Sequence, residues 1–217
     1  MMNKKIYAIL IAVVFTTGVA QAQFSFGVRG GFNLTNMTKK IDLGIGGMTL
    51  EPNFSFKPGF QAGIVGELAI TDALAIQPGI LFATQGARWN ETLLEEEFDV
   101  TFSFNYLQVP INVQFGIPFG NNLRFLLQAG PYVGFALNGS MSASESGMTV
   151  SDDLEFGEDG EWRRLDFGLG FGAGVEIGNI QIAAGYNLGL ANISSIDELT
   201  ASHNGFALTV TYLFRRR

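Results

Sequence analysis

The sequence predicts an all-β chain: an eight-stranded antiparallel transmembrane β-barrel, an up-and-down meander preceded by a signal peptide. Three observations carry this. Eight segments alternate with period two between large apolar residues and small or polar ones. The connections between those segments run alternately long and short. The chain has 28 glycines and 20 phenylalanines, and no helical period follows its first 22 residues.

The opening "MMNKKIYAILIAVVFTTGVAQAQ" has a basic start (Lys4, Lys5), an apolar run from Ile6 to Val19, and Ala20-Gln21-Ala22 in A-x-A form. That is the pattern of a secretory signal peptide. It divides the chain into residues 1–22, the signal peptide, and 23–217, the barrel domain. A membrane anchor is the alternative, and the short apolar core and small-residue site oppose it. The chain has no cysteine, which excludes disulfides and attachment to lipid through a cysteine. Its formal net charge is −7, and more negative without Lys4 and Lys5. Nucleic acid is not an expected partner for such a chain.

In chain order the strands are expected at about 24–36, 56–71, 74–89, 100–117, 123–140, 164–177, 180–193 and 204–214. The connections 72–73, 118–122 and 178–179 are short, with turn chemistry in "TDA" and "GN". The connections 37–55, 90–99, 141–163 and 194–203 are long. Short turns at one end, longer loops at the other and an even strand number are the layout of outer-membrane barrels. No later segment has the ~20 apolar residues a membrane helix needs, so closure of a sheet is the remaining way to span a bilayer.

The two faces separate a membrane barrel from a soluble one. In the second strand Phe60, Ala62, Ile64, Leu68 and Ile70 alternate with Gln61, Gly63, Glu67 and Ala69. In the last, Phe206, Leu208, Val210, Tyr212 and Phe214 alternate with Ala207, Thr209 and Thr211. A soluble calyx would carry large apolar groups inside and ordinary charges outside. Here the second face is mostly Gly, Ala, Gln, Asn and Thr, which suits the inside of a narrow barrel. The stretch "DFGLGFGAGVEI" (166–177) has G-x-G-x-x-A spacing, but its glycines lie within an alternation and no helix follows, so it reads as a strand rather than a phosphate loop. Its glycine face is expected toward the lumen, opposite bulkier groups such as Tyr132 or Arg29. The fourth strand breaks phase: Phe102, Phe104 and Tyr106 have one parity, Leu107, Val109, Ile111, Val113 and Phe115 the other. Either a bulge near Tyr106–Leu107 turns both sets to lipid, or the first set stands above the membrane.

The segments "FSFGVRGGFNLTN" (24–36), "YLQVPINVQFGI" (106–117), "QAGPYVGFAL" (128–137), "DFGLGFGAGVEIGNIQIAAGYNLGLANI" (166–193) and "LTVTYLF" (208–214) resemble the bacterial outer-membrane β-barrel family often labelled "porin family protein", which includes PorT-like accessory proteins. The resemblance spans essentially the whole of 23–217. It implies an eight-stranded barrel in the bacterial outer membrane with both termini periplasmic. It also implies contact with outer-membrane lipid, and with the barrel-assembly machinery during biogenesis. It implies no particular activity. Phe214 stands where such barrels place a terminal aromatic, and Arg215, Arg216 and Arg217 follow it as a tail.

Three places could carry function. Eight strands leave an interior just wide enough for side chains. Arg29, Lys57, Arg124, Glu67, Asp166 and Glu176 have inward parity, with Gln61, Gln77, Gln85, Gln128, Tyr132 and Asn187. They read as a polar plug, or as a narrow solute or proton path. Levels counted from the strand ends pair Arg29 with Glu67 and Arg124 with Glu176. The long connections form the second place, because they hold 16 of the 20 acidic residues. Glu95, Glu96, Glu97, Asp152, Asp153, Glu158 and Asp159 form a candidate protein-interaction or divalent-cation site, although no calcium-loop spacing is present. The third is the lone histidine, His203, with Ser194, Ser195 and Ser202 near it. No G-x-S-x-G elbow is present, and neighbours on a strand face opposite ways, so His203 reads as a surface-loop residue. The expectation is a non-enzymatic integral outer-membrane barrel with a plugged lumen and acidic external loops, without cofactor or metal. The alternatives are an accessory of a secretion or surface-assembly system, a narrow channel, and last a lipid-modifying enzyme.

Overall fold

A computed structural model describes residues 23–42, 49–50, 54–93, 96–120, 122–145, 148–157, 160–196 and 199–215. The signal-peptide segment 1–22 lies outside the described residues. Ten strands occur among the described residues: β1 (Gln23–Asp42), β2 (Thr49–Leu50), β3 (Ser55–Ala69), β4 (Leu74–Leu93), β5 (Glu96–Phe119), β6 (Leu123–Glu145), β7 (Met148–Asp153), β8 (Leu165–Ile177), β9 (Ile180–Gly189) and β10 (Leu199–Phe214). Eight of them, β1, β3, β4, β5, β6, β8, β9 and β10, form an antiparallel ring in chain order. The ring closes where β10 pairs β1, from Phe26↔Phe214 to Ile41↔Leu199. Two short strands add to it at the long-hairpin end, β2 on β1 and β7 on β6.

Alternation fixes which way each side chain points. Phe26, Val28 and Phe32 of β1, Val109, Ile111 and Val113 of β5, and Phe206, Leu208 and Val210 of β10 are all exposed on the outer wall. Arg29, Gln77, Gln114, Glu176 and Gln181 are buried inside. This inversion of ordinary burial suits a wall solvated by lipid, where closure pairs every backbone group. Aromatic contacts edge the wall at both levels. Phe56 and Tyr186 meet Phe206 near the hairpin end, and Phe26 and Tyr212 meet Phe214 near the turn end.

Several strands run further than the sequence suggested. Residues 90–93 and 96–99 are strand rather than loop: Asn90↔Asp99 and Leu93↔Glu96 continue the β4–β5 ladder. β6 extends to Glu145 with β7 folded back along it, and β10 begins at Leu199 rather than 204. At ~3.3 Å per residue, the 24 residues of β5 far exceed the ~9–11 that cross a bilayer. The outward positions turn polar above Phe82 and Leu107, at Arg88, Asn90 and Asn105, so the hairpins keep their ladders beyond the apolar band.

The phase break of β5 is not a bulge that turns both sets to lipid. Phe102, Phe104, Tyr106, Gln108 and Asn112 all point inward with unbroken parity. The irregularity lies on β6, where Asn105↔Asn138 is followed by Tyr106↔Ala136 and Leu137 is the extra residue. Phe102, Phe104 and Tyr106 therefore belong to the interior. They meet Trp162 and Ile193, which arrive on segments folded into the barrel mouth: Trp162 bridges Ser194, and the Ile193 N–H donates to the Ala201 carbonyl at 2.9 Å.

Candidate functional site

The lumen has three levels. At the turn end it is crossed by a network of charges and amides. Glu67 of β3 accepts from Arg215 at 2.6 Å and from Gln181 at 3.0 Å. Glu176 of β8 accepts from Arg124 at 3.0 Å, from Arg215 at 2.8 Å and from Gln181 at 2.8 Å. Gln77 donates to Glu67 at 3.4 Å and to Gln181 at 3.1 Å, while its own oxygen accepts from Gln114 at 3.0 Å and from Arg29. Gln114 also reaches Gln128 at 3.2 Å. These side chains come from seven strands and the residue after β10, so the network ties the ring together across its interior. Small residues make room for them. A side chain at Gly116 would run into the Arg124 guanidinium, and a Cβ at Gly168 would come 2.7 Å from the Tyr132 ring.

Above this network, Arg29, Gln61, Gln108, Gln128, Tyr132 and Asn187 line a cavity of about 50 Å³. At the hairpin end the interior becomes aromatic. Phe104 packs against Trp162 at 5.1 Å, His203 at 5.0 Å and Tyr106 at 6.3 Å. Enclosed among them are Asp166 (0% exposed) and His203 (1%). His203 Nδ1 stands 3.8 Å from Asp166 Oδ2, beyond hydrogen-bonding reach. Both Asp166 oxygens, both His203 nitrogens and Tyr106 Oη are buried without a hydrogen-bond partner among the described residues.

The structure brings Arg124 and Glu176 together, across the pair Arg124↔Glu176 of β6 and β8. It keeps Arg29 from Glu67: β1 and β3 register as Arg29↔Gly63 and Ser25↔Glu67, and Gln77 stands between the two charges. No tight turn joins β1 to β3 at this end, so nothing local sets their stagger, and the level assumed from the strand ends was about three residues off. Arg215, which the sequence left in a tail, is the partner of Glu67. Its backbone N–H turns back to the Leu213 carbonyl at 3.0 Å, and it shares the inward parity of Thr209, Thr211 and Leu213. His203 is likewise interior and not a surface-loop residue, because β10 already runs through it with the same parity. Ser202 has the opposite parity, and Ser194 Oγ accepts the Ile196 N–H at 3.1 Å. Arg216 and Arg217 lie outside the described residues. Of the acidic candidates, Glu95, Glu158 and Asp159 lie outside them as well. Glu96 and Glu97 are on β5, and Asp152 and Asp153 are exposed on β7. Among the described residues no three His, Cys, Asp or Glu side chains come together as a metal site.

A closed ring of eight strands, apolar outside and polar within, defines a membrane-spanning β-barrel. The sequence matches the outer membrane protein beta-barrel domain family over residues 19–195, and the chain belongs to that family, whose place is the bacterial outer membrane. Solved structures to which the chain is similar include Neisserial surface protein A, with 12% identity over 88% of this chain and 98% of that one and a TM-score of 0.43. Ail, the attachment invasion locus protein of Yersinia pestis, shows 16% identity over 88% and 99%, at a TM-score of 0.37. The outer membrane protease OmpT of Escherichia coli shows 11% identity over 89% and 97%, at 0.46. No curated protein matches the chain.

Proposed function

We propose that this barrel is non-conducting and non-enzymatic, and that it serves at the cell surface as an interaction platform. The observation that carries the reading is the network centred on Gln77 and Gln181, whose hydrogen bonds reach across the lumen at the turn end and support a closed interior. The aromatic layer of Phe104, Tyr106 and Trp162 closes the other end. His203 lies sealed beneath that layer, and no serine among the described residues is aligned to it, which speaks against hydrolytic chemistry. In this reading the turn end and both termini face the periplasm and the hairpin end faces outward.

The surface available for a partner is then the sheet of β4, β5, β6 and β7 that continues beyond the apolar band. All six residues of β7 are exposed, Met148 and Val150 by 76% and 72%, and the strand pairs with β6 alone among the described residues. An exposed strand edge is a template for pairing with another chain. Photo-crosslinking in native membranes tests this. A crosslinker at Val150 is expected to capture protein partners, and one at Val28 on the outer wall is expected to give only lipid adducts. Equal protein capture from both positions, or none from Val150, contradicts the platform.

A further inference from the structure

Arg29 is an exception to the pairing of the lumen. Its side chain is buried, with 7% exposure. Its Nε donates to Thr211 Oγ1 at 2.9 Å and its Nη2 to Gln77 Oε1, both neutral acceptors. Among the described residues no carboxylate lies within ion-pairing distance of it. The carboxylates of the turn end are engaged elsewhere, Glu67 with Arg215 and Glu176 with Arg124 and Arg215. Two guanidinium groups there face two carboxylates, so that level is neutral without Arg29. Asp166 lies on the far side, within the aromatic layer. A buried charge needs a partner or bears a large desolvation cost.

The cavity of about 50 Å³ opens beside this guanidinium. Its lining is rich in hydrogen-bond donors. Gln61, Gln108 and Asn187 make no side-chain hydrogen bond among the described residues. Gln128 accepts from Gln114 through its oxygen, which leaves its amino group unbonded. Tyr132 adds a phenolic hydroxyl, and these groups descend from four strands onto one space. We infer that the cavity is a binding site for one small monovalent anion of the halide or nitrate class, held by the charge of Arg29 and the surrounding amide N–H groups. A single guanidinium balances one negative charge. A dianion such as sulfate would leave a buried charge uncompensated, so the site selects by valence. The site goes beyond the surface reading and does not depend on any partner of β7.

The test uses purified barrel in detergent micelles and in crystals. Unfolding is followed at constant ionic strength in sodium bromide, chloride and nitrate, with sulfate and gluconate as controls. The folding equilibrium constant is expected to rise about tenfold for each tenfold rise in bromide once the site is near saturation, the dependence of one bound ion. Sulfate and gluconate give no such rise. Anomalous diffraction from bromide-grown crystals is expected to place one peak within contact distance of Arg29. Arg29→Gln abolishes the halide dependence and the peak. Gln108→Leu, which leaves the bonds of Arg29 to Thr211 and Gln77 intact, weakens the halide dependence and keeps the proposal testable if Arg29→Gln does not fold. Stability that is indifferent to anion identity, or bromide-grown crystals with no anomalous peak in the cavity, overturns the site.

Discussion

The two ends of the lumen bury the same kinds of groups in opposite ways. At the turn end every carboxylate has a donor: Glu67 and Glu176 share Arg215 and Gln181, and Arg124 adds a further bond to Glu176. At the hairpin end Asp166 and His203 are more deeply buried, yet stand 3.8 Å apart among aromatic rings without a hydrogen bond among the described residues. The turn end is held by polar pairing and the hairpin end by packing. Loss of a charge is therefore expected to cost more at the turn end than at the hairpin end.

That contrast orders the effects of substitution. The largest belongs to the packed end. Phe104→Ala empties the centre of the cluster with Tyr106, Trp162, Phe156 and His203, and is expected to cost about 3–5 kcal/mol in urea unfolding from lipid vesicles. A loss below about 1 kcal/mol would show that the outer layer adds little. Next comes Glu67→Gln, which takes one of Arg215's two carboxylates and leaves only Glu176 to balance Arg124 and Arg215. A fully buried pair broken this way costs ~3–5 kcal/mol. Arg215 is about a quarter exposed, so about 2 kcal/mol is expected. Adding Arg215→Gln should recover much of that loss, and adding Arg29→Gln should not. Strict additivity in the Glu67–Arg215 double mutant would remove this pair from the account.

A smaller effect tests the glycine face. Gly168→Ala pushes a methyl group toward the Tyr132 ring and the Leu188 carbonyl, and is expected to cost about 1–2 kcal/mol as overpacking. The smallest change is the most discriminating. Asp166→Asn removes a buried charge with no donor, so stability should stay within about 1 kcal/mol or rise. A loss matching that of Glu67→Gln would mean that both ends pair their carboxylates alike.

Much of this was legible in the alternation. Inward parity identified Arg29, Glu67, Arg124, Asp166 and Glu176, and apolar parity marked the lipid-facing wall. Arg215 and His203 obey the same parity as Thr209 and Thr211. The sequence bounds the last strand at 204 and 214 and so hides them, because polar hairpin ends carry no apolar signal to show that a ladder continues. The direction of the β5 aromatics is hidden for a related reason. Large apolar residues inside a barrel look like a slip of phase, when the extra residue in fact sits on the neighbouring strand at Leu137. Which charges meet depends on stagger. Tight turns at 118–122, just before β6, and 178–179, just after β8, mark the turn-end level of both strands, whereas on the β1–β3 pair only β3 is marked in this way.

Recording from planar bilayers tests the central claim, a lumen closed at both ends, most directly. Purified full-length barrel, inserted and verified as folded by its heat-dependent mobility, should show no stable conductance step at any moderate voltage. Steady steps of nanosiemens scale that persist in repeated insertions and diminish when Gln108 is replaced by a bulkier side chain would contradict it.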